Sequence, residues 1–263
     1  MNASAAARLY LDTADEVAPG LVEGLYVVGS YALGDWIEGT SDLDVVVVTA
    51  EPATEDDFTR IAQIHARLAT VEGLPRIDGP YLAWGDLLAE PATGLLRPWT
   101  LDGEPHHDGE CFEINPVTWY TLANHGMRVR GPEPATLSIP TDTEARVRFV
   151  VDNLTSYWKD VASQVAAACD RPQPPAFEAP MLVWCALGAL RLHCTAFTGD
   201  VVSKRAAGEY GLTVLPTELR GVVRSALNMR AAGERGGVTL DMMRDAAAVI
   251  DWCVREAQEA ARP

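Results

Sequence analysis

A run of four consecutive valines, Val45–Val48, restricts the fold more than any other feature of the sequence. β-Branched residues favour extended backbone, and an apolar run without polar alternation is typical of a strand covered on both faces. We therefore predict that residues 43–48 form a buried strand within a sheet flanked by helices. Two acidic residues, Asp42 and Asp44, stand at the start of this strand.

Strand and helix patterns alternate through the first 140 residues. Short apolar or β-branched segments predict strands at 25–28, 43–48, 76–84, 110–114 and 127–130. Helices are expected near 31–36, 54–72 and 115–126, the last with Asn115 as N-cap and Pro116 at its first position. Residues 1–140 are therefore predicted to form an α+β domain with a mixed sheet.

From Thr141 onward the pattern is purely helical. Apolar residues recur every three or four positions between Val147 and Val165, which marks one face of a helix. A Pro-rich segment at 171–175 ends that helix, and residues 180–198 are apolar nearly all round, as in the central helix of a bundle. We expect residues 141–263 to form an all-α domain, with Thr239 capping a final helix.

The charge balance excludes some classes of partner. The formal net charge is −16, whereas proteins that grip nucleic acid neutralise phosphates with Lys and Arg. We therefore expect no nucleic-acid partner, and an acidic chain favours a cationic small-molecule substrate. No stretch reaches the roughly 20 uninterrupted apolar residues of a membrane span. Five dispersed cysteines indicate reduced thiols and a cytoplasmic location.

The two aspartates at the valine strand are the best candidates for chemistry. Residues two apart on a strand point to the same side, so Asp42 and Asp44 place two carboxylates next to each other. Such a pair repels unless a cation lies between its members, and Mg²⁺ binds carboxylates together with phosphate oxygens. Upstream, Gly29 and Ser30 close one strand and open a helix, where backbone N–H groups can receive a phosphate.

Residues 27–45 contain an apolar-Gly-Ser turn, eleven further residues and then Asp-Leu-Asp-Val. This pattern resembles that of the polymerase-beta-like nucleotidyltransferases. The resemblance implies transfer of a nucleoside monophosphate, with Asp42 and Asp44 as metal ligands. It also implies a third carboxylate on a neighbouring strand that completes the metal site or acts as base. Asp78 is our first choice because it lies on the strand next in sequence. Glu113 is the runner-up.

Within that superfamily, the two-part chain resembles the aminoglycoside adenylyltransferases that modify streptomycin and spectinomycin. The similar segments are 25–48, more loosely 77–87, and 187–207 in the helical part. The resemblance implies ATP as co-substrate, a monomeric protein, and a helical domain that completes the nucleotide and substrate sites. The residues implied to contact nucleotide are Gly29, Ser30, Ser41, Arg191 and Lys204. Trp119 and Glu178 correspond to substrate-contacting positions.

The chain also departs from the adenylyltransferase pattern. The family has Glu where Asp78 stands, and neither its second substrate-contacting Trp nor its Tyr in the later bundle has a match here. Two alternatives therefore stay open, a nucleotidyltransferase acting on a protein or RNA acceptor and a regulatory nucleotide-binding module without turnover. His106 and His107 lie in a turn-rich stretch and are interpreted as part of a solvated loop.

Overall fold

The computed structural model describes residues 1–92 and 94–260. It divides into two compact units, Met1–Asp142 and Thr143–Pro263. The boundary expected from the sequence, near residue 140, lies just before this division.

The first unit contains a six-stranded sheet. Its strands are β1 (Gly24–Val27), β2 (Leu43–Thr49), β3 (Ile77–Ala83), β4 (Trp99–Leu101), β5 (Glu104–His106) and β6 (Met127–Arg130). Their order across the sheet is β5-β4-β3-β2-β1-β6. The β2–β3 pair is parallel, and the other neighbouring pairs are antiparallel. The sheet is therefore mixed, as predicted.

Five helices accompany the sheet. They are α1 (Ala3–Val17), α2 (Gly29–Ala32), α3 (Glu55–Leu68), α4 (Trp84–Leu87) and α5 (Pro116–His125), with a 3₁₀ turn at Pro134–Thr136. Thr54 and Asp57 cap α3 reciprocally, since each side chain accepts a hydrogen bond from the other residue's backbone N–H. Asn115 caps α5 by accepting from two backbone N–H groups, which confirms the N-cap expected there.

The valine strand separates two apolar cores. Leu43, Val45 and Val47 pack with α1 and α3 on one face, whereas Val46 and Val48 pack with residues of α4 and α5 on the other. The strand is covered on both faces, as its composition predicted. By the same alternation, Asp44 points to the side of Val46 and Val48.

Three expectations for this unit are corrected. Residues 110–114 form turns rather than a strand, and the helix expected near 31–36 is a single turn, Gly29–Ala32. The stretch around His106 and His107 is expected to be a solvated loop; His106 instead ends strand β5 of a β4–β5 hairpin, whereas His107 is exposed and lies outside any strand, as expected. Residues 102 and 103 at the tip of this hairpin both have positive φ, 55° and 79°. An Asp-Gly pair of this kind favours a two-residue hairpin turn.

The second unit is helical apart from a two-strand pairing of β7 (Phe177–Glu178) with β8 (Gly237–Val238). Its helices are α6 (Thr143–Asn153), a π-helical turn (Leu154–Trp158), α7 (Lys159–Cys169), α8 (Ala179–Thr198), α9 (Lys204–Val214), a 3₁₀ turn (Thr217–Leu219), α10 (Arg220–Ala232) and α11 (Leu240–Ala260). The predicted fold class, an α+β region followed by a helical region, is confirmed.

Helix α8 lies in the core of this helical unit. Twelve of its 20 residues are buried, and α6, α9, α10 and α11 all contact it. Among the described residues, α8 is the one helix whose length and composition would allow a membrane crossing. However, 61% of its apolar segment is buried within the protein, which is common for the central helix of a bundle.

Candidate active site

Asp44 and Asp78 lie opposite each other on the parallel strands β2 and β3. Cα partners in neighbouring strands project their side chains to the same face of a sheet, so the two carboxyl groups share one side. The sequence separates them by the whole of α3, and the parallel crossover brings them together. The structure thus places the predicted metal ligand Asp44 next to the predicted base Asp78.

The turn after β1 holds the carboxylate of Asp44. Gly29 has φ +56°, and a Cβ atom added there would lie 1.8 Å from Asp44 Oδ2. The backbone N–H of Ser30 donates to the same oxygen over a long 3.4 Å. Only glycine therefore allows this approach, and the Ser30 N–H at the start of α2 points toward an anionic oxygen.

Asp42 makes an ion pair with Arg76, at the end of the loop before β3. Arg76 Nε donates to Asp42 Oδ1 at 2.9 Å, and Arg76 Nη1 donates to Asp102 Oδ1 at 2.5 Å. In the ion pair between Arg76 and Asp42, the exposed fraction is 53% for the Arg76 side chain and 39% for the Asp42 side chain. The guanidinium therefore supplies a positive charge at the edge of a strongly acidic site.

The tip of the β4–β5 hairpin fixes the carboxyl group of Asp78. Gly103 N–H donates to Asp78 Oδ1 at 2.8 Å, and the Asp102 backbone also donates to this carboxyl group. Asp78 is only 6% exposed. Its pKa is raised to about 6, mainly by burial; the charges of Asp42 and Asp44 also raise this pKa, and the two backbone hydrogen bonds lower it.

Glu113, the runner-up for the third carboxylate, lies on the same side. Its Oε2 atom is 3.4 Å from the position that a Cβ of Gly79 would occupy, which places it beside β3. Burial raises the pKa of Glu113 well above its ordinary value, and the charges of Asp44 and Asp78 add to this effect. Asp44, Asp78 and Glu113 thus form an acidic cluster in which each negative charge penalises the others.

The chemistry of this cluster fits a divalent cation. Among residues 1–92 and 94–260, no three His, Cys, Asp or Glu side chains are arranged to enclose a metal ion. Mg²⁺, however, commonly binds through one or two carboxylates and takes its remaining ligands from water and substrate phosphates. Asp44, with Asp42 two residues earlier, matches that requirement, and a cation would relieve the repulsion that raises the pKa values of Asp78 and Glu113.

Ser41 supports the loop that leads into β2. Its Oγ atom accepts a hydrogen bond from the backbone N–H of Ile37 at 3.0 Å. Ser30 and Ser41 are both partly buried, and both lie in the segments that flank Asp44. Their predicted contact with nucleotide stays a prediction.

In the helical unit, two predicted phosphate-binding cations lie near each other. Arg191, on α8, donates from Nε to the carbonyl oxygen of Val202 at 3.1 Å. Two residues later Lys204 begins α9, whose N-cap Ser203 accepts from Ala206 N–H. The N-terminus of an 11-residue helix and two cationic side chains favour anion binding at this position.

The two predicted substrate residues occupy different environments. Trp119 is 0% exposed, and its Nε1 donates to the carbonyl oxygen of Ala89 at 3.0 Å. It therefore packs in the core of the first unit, and its predicted contact with substrate stays a prediction. Glu178, in β7, is exposed and precedes α8, so its carboxylate is accessible to a cationic ligand.

The two adjacent histidines make aromatic contacts within the first unit. His106 stacks on Trp99 with ring centroids 4.6 Å apart, and the His107 ring lies 4.6 Å from that of Phe58 on α3. These contacts attach the β4–β5 hairpin to its neighbours. They give both histidines a packing role.

Sequence reasoning missed two contributors to the site, namely Arg76 and the 102–103 turn. The Asp-Gly dipeptide at 102–103 was an available signal, because it favours a tight turn between two strands. Arg76 carried no comparable signal, because its pairing with Asp42 and Asp102 exists only in the folded chain.

Comparisons with known proteins agree with this geometry. Residues 11–78 match the family model of the nucleotidyltransferase domain. The fold is similar to the crystal structure of spectinomycin adenyltransferase AAD(9) from Enterococcus faecialis with ATP and spectinomycin, with a TM-score of 0.69 and 15% identity over 98% of this chain and 100% of that one. No curated protein matches the sequence. Residues 11–78 are thus part of a nucleotidyltransferase domain, which confirms the transferase class, and the chain has the fold of an adenyltransferase.

Proposed function

We propose that the protein is a Mg²⁺-dependent adenylyltransferase that transfers AMP from ATP to a hydroxyl group of an aminoglycoside or aminocyclitol antibiotic, such as streptomycin or spectinomycin. The observation that carries the proposal is the pairing of Asp44 with Asp78 beside the Gly29 turn. The similar adenyltransferase was solved with ATP and spectinomycin, which supports this choice of nucleotide and acceptor.

Asp42 and Asp44 would hold the metal ion. When bound, Mg²⁺ neutralises the triphosphate and the charge that develops on the leaving pyrophosphate. Gly29 and Ser30 form the turn whose Ser30 N–H faces the Asp44 carboxylate, and this turn is suited to a phosphate oxygen of the metal-bound nucleotide. Ser41 orders the loop that carries Asp42.

Asp78 acts as the general base. The acceptor hydroxyl oxygen attacks the α-phosphorus, the bond from that phosphorus to the pyrophosphate oxygen breaks, and Asp78 accepts the hydroxyl proton. With its pKa raised to about 6, Asp78 is a stronger base than an ordinary aspartate but still ionised at pH 7. Glu113, whose pKa is raised well above the ordinary value, is the group more easily kept protonated.

The helical unit contributes further contacts in this proposal. Arg191 and Lys204 bind phosphate oxygens of the nucleotide, and Glu178 pairs with an amine of the antibiotic. A net charge of −16 favours a cationic acceptor over a nucleic acid. We also propose that the enzyme is cytoplasmic, because its thiols are free and buried, and that it is a monomer, as its resemblance to the aminoglycoside adenylyltransferases implies.

The decisive experiment measures pyrophosphate release with ATP and Mg²⁺ against streptomycin, spectinomycin, kanamycin and lincomycin. We expect drug-dependent release that falls at least about 100-fold in Asp78→Asn and less in Glu113→Gln. Glu72→Gln, at an exposed position in a turn, is the matched control and should retain full activity.

Other outcomes would change the proposal. Greater loss in Glu113→Gln than in Asp78→Asn would transfer the role of base to Glu113. No release with any drug, together with labelled protein or RNA in a lysate given labelled ATP, would replace the antibiotic by a macromolecular acceptor. ATP binding without turnover on any acceptor would indicate a regulatory module.

A further inference from the structure

A buried line of polar side chains crosses the core of the first unit. The hydroxyl groups of Tyr10 and Tyr81 are 2.6 Å apart, and the Tyr81 hydroxyl lies 2.9 Å from His65 Nε2. All three side chains are buried, at 4% exposure or less. The remaining partner of His65 is the backbone of Gly103 at the tip of the β4–β5 hairpin.

The directions of these hydrogen bonds follow from the charge of His65. Burial lowers the pKa of His65 to about 4, so the ring is neutral at physiological pH and carries one N–H. The hydrogen bond with Gly103 opposes this decrease in the pKa of His65. A hydrogen bond has this effect only when the ring donates it, so Nδ1–H is the donor and the Gly103 carbonyl oxygen is the acceptor. Nε2 then accepts from the Tyr81 hydroxyl, whose oxygen accepts from Tyr10.

The same glycine contacts the candidate base. Gly103 N–H donates to Asp78 Oδ1 at 2.8 Å, while its carbonyl oxygen accepts from His65. Gly103 and Asp102 both have positive φ, 79° and 55°. Asp102 is the only non-glycine with positive φ in the part of the chain that the structure describes. The Asp-Gly sequence suits this turn conformation, so an outside contact is needed only to fix where the tip of the hairpin lies relative to Asp78.

We propose that His65 is a positioning residue that holds the 102–103 turn in the place from which its N–H groups orient the carboxyl group of Asp78. The inference rests on the proposed function in that it treats Asp78 as the base. His65 does not touch the reacting atoms. It acts through a single backbone residue, and the Tyr10–Tyr81 pair fixes its tautomer from the other side.

The alternative role for His65 is plain packing in the core between α1, α3 and the sheet. The two roles predict different behaviour of substitutions. A packing residue is best replaced by an apolar side chain of similar size, whereas a positioning residue requires a donor where Nδ1–H lies. Asn places its amide N–H close to that position, and Leu offers volume without a donor.

The test compares His65→Leu and His65→Asn with wild type in steady-state adenylyl transfer. We expect His65→Leu to lower kcat by about 10-fold to 100-fold, with KM for ATP and acceptor nearly unchanged, and His65→Asn to recover most of the loss. Ile64→Ala, at a neighbouring buried position of α3, controls for lost stability and should leave kcat unchanged. Equal kcat in wild type and His65→Leu, or a smaller kcat in Asn than in Leu, would overturn the proposal.

A second measurement does not depend on turnover. The Gly103 amide proton should resonate far downfield in the NMR spectrum because it donates to a carboxylate. It should move upfield in His65→Leu and return in His65→Asn. An unchanged Gly103 resonance in a folded His65→Leu protein would refute the positioning role even if no acceptor were ever found. Wild-type inactivity with the expected NMR shifts would instead refute only the proposed function.

Discussion

The Cα atom of Gly29 and the carboxylate of Asp44 leave no room for a methyl group between them, since a Cβ at Gly29 would lie 1.8 Å from Asp44 Oδ2. The turn therefore requires glycine for two reasons, its positive φ and this close approach. The metal ligand and the phosphate-type turn are parts of one packed unit. A change in the turn must displace the ligand.

Gly29→Ala should abolish adenylyl transfer while the protein stays folded. The matched control is Gly34→Ala, because Gly34 has a similar φ of +67° but nothing within 4 Å of its added Cβ. Both variants should lose about 1–2 kcal/mol of unfolding free energy from backbone strain. Only Gly29→Ala should lose activity, measured as pyrophosphate release. Comparable activity in the two variants would show that the Asp44 carboxylate is not critical in its present position.

Asp78 should make a contribution to the stability of the metal-free protein that is lost as pH rises from about 4 through about 6. Asp78 has a raised pKa, so the folded state holds its proton more tightly than the unfolded state, and this stabilisation is lost as pH passes the folded value near 6. One pKa unit corresponds to about 1.4 kcal/mol, which limits the effect of Asp78 to about 3 kcal/mol. Urea unfolding at several pH values measures it.

Asp78→Asn provides the comparison for that pH series. It removes the titrating group while the other groups, His65 among them, titrate as in wild type, so the stability of the variant relative to wild type should rise between pH 4 and 6, and the variant should be more stable than wild type near pH 8. Mg²⁺ with a non-hydrolysable ATP analogue should reduce the contribution that wild type loses over this range, because a bound cation favours the ionised carboxylates. A difference in stability between the two proteins that does not change from pH 4 to 6 would contradict the raised pKa.

Arg76→Gln should increase the apparent affinity for Mg²⁺. The Arg76 guanidinium pairs with Asp42, and its removal frees this carboxylate for the metal. Because the pair is partly exposed, we expect a change of only about 2-fold to 5-fold, measured by calorimetric titration of Mg²⁺ with a bound ATP analogue. Arg67→Gln is the control, since Arg67 pairs with exposed Glu16 at 3.0 Å. An equal shift in both variants would reflect net charge alone.

Arg191→Ala should raise KM for ATP about 10-fold with little change in kcat, as expected when one charged hydrogen bond to phosphate is lost. Arg205→Ala is the control, because Arg205 is exposed on the same unit and pairs with Glu209. Nucleotide binding by fluorescence would measure the difference directly. Unchanged ATP affinity in Arg191→Ala would remove this residue from the nucleotide site.

Much of the site was predictable because its signals are local. The Gly29-Ser30 turn, the Asp42–Asp44 pair and the valine strand follow one another within 22 residues, so periodicity and spacing were sufficient. Asp78 was chosen over Glu113 from strand order, and its position opposite Asp44 agrees with that choice. Whether it is the base stays a prediction.

The remainder depends on long-range contacts that the sequence does not encode locally. Strands β4 and β5 have three residues each, too few for a pattern to separate them from loops. The sequence does not distinguish packing of Trp119 in the core from contact with a ligand. The hydrogen bond from its indole N–H to Ala89 forms only in the folded chain. The proposed role of His65 depends on its contact with Gly103, which is distant in sequence.

The single parallel pair of the sheet has an evolutionary consequence. Asp44 and Asp78 meet because β2 and β3 start at the same edge, and the chain between them runs through α3 as a crossover. Strand register, and not the number of intervening residues, sets their separation. Insertions or deletions in the connecting loops can therefore accumulate without moving either carboxylate. Distant homologues should be recognised by aligning strand starts, even where the spacing between the acidic residues has drifted.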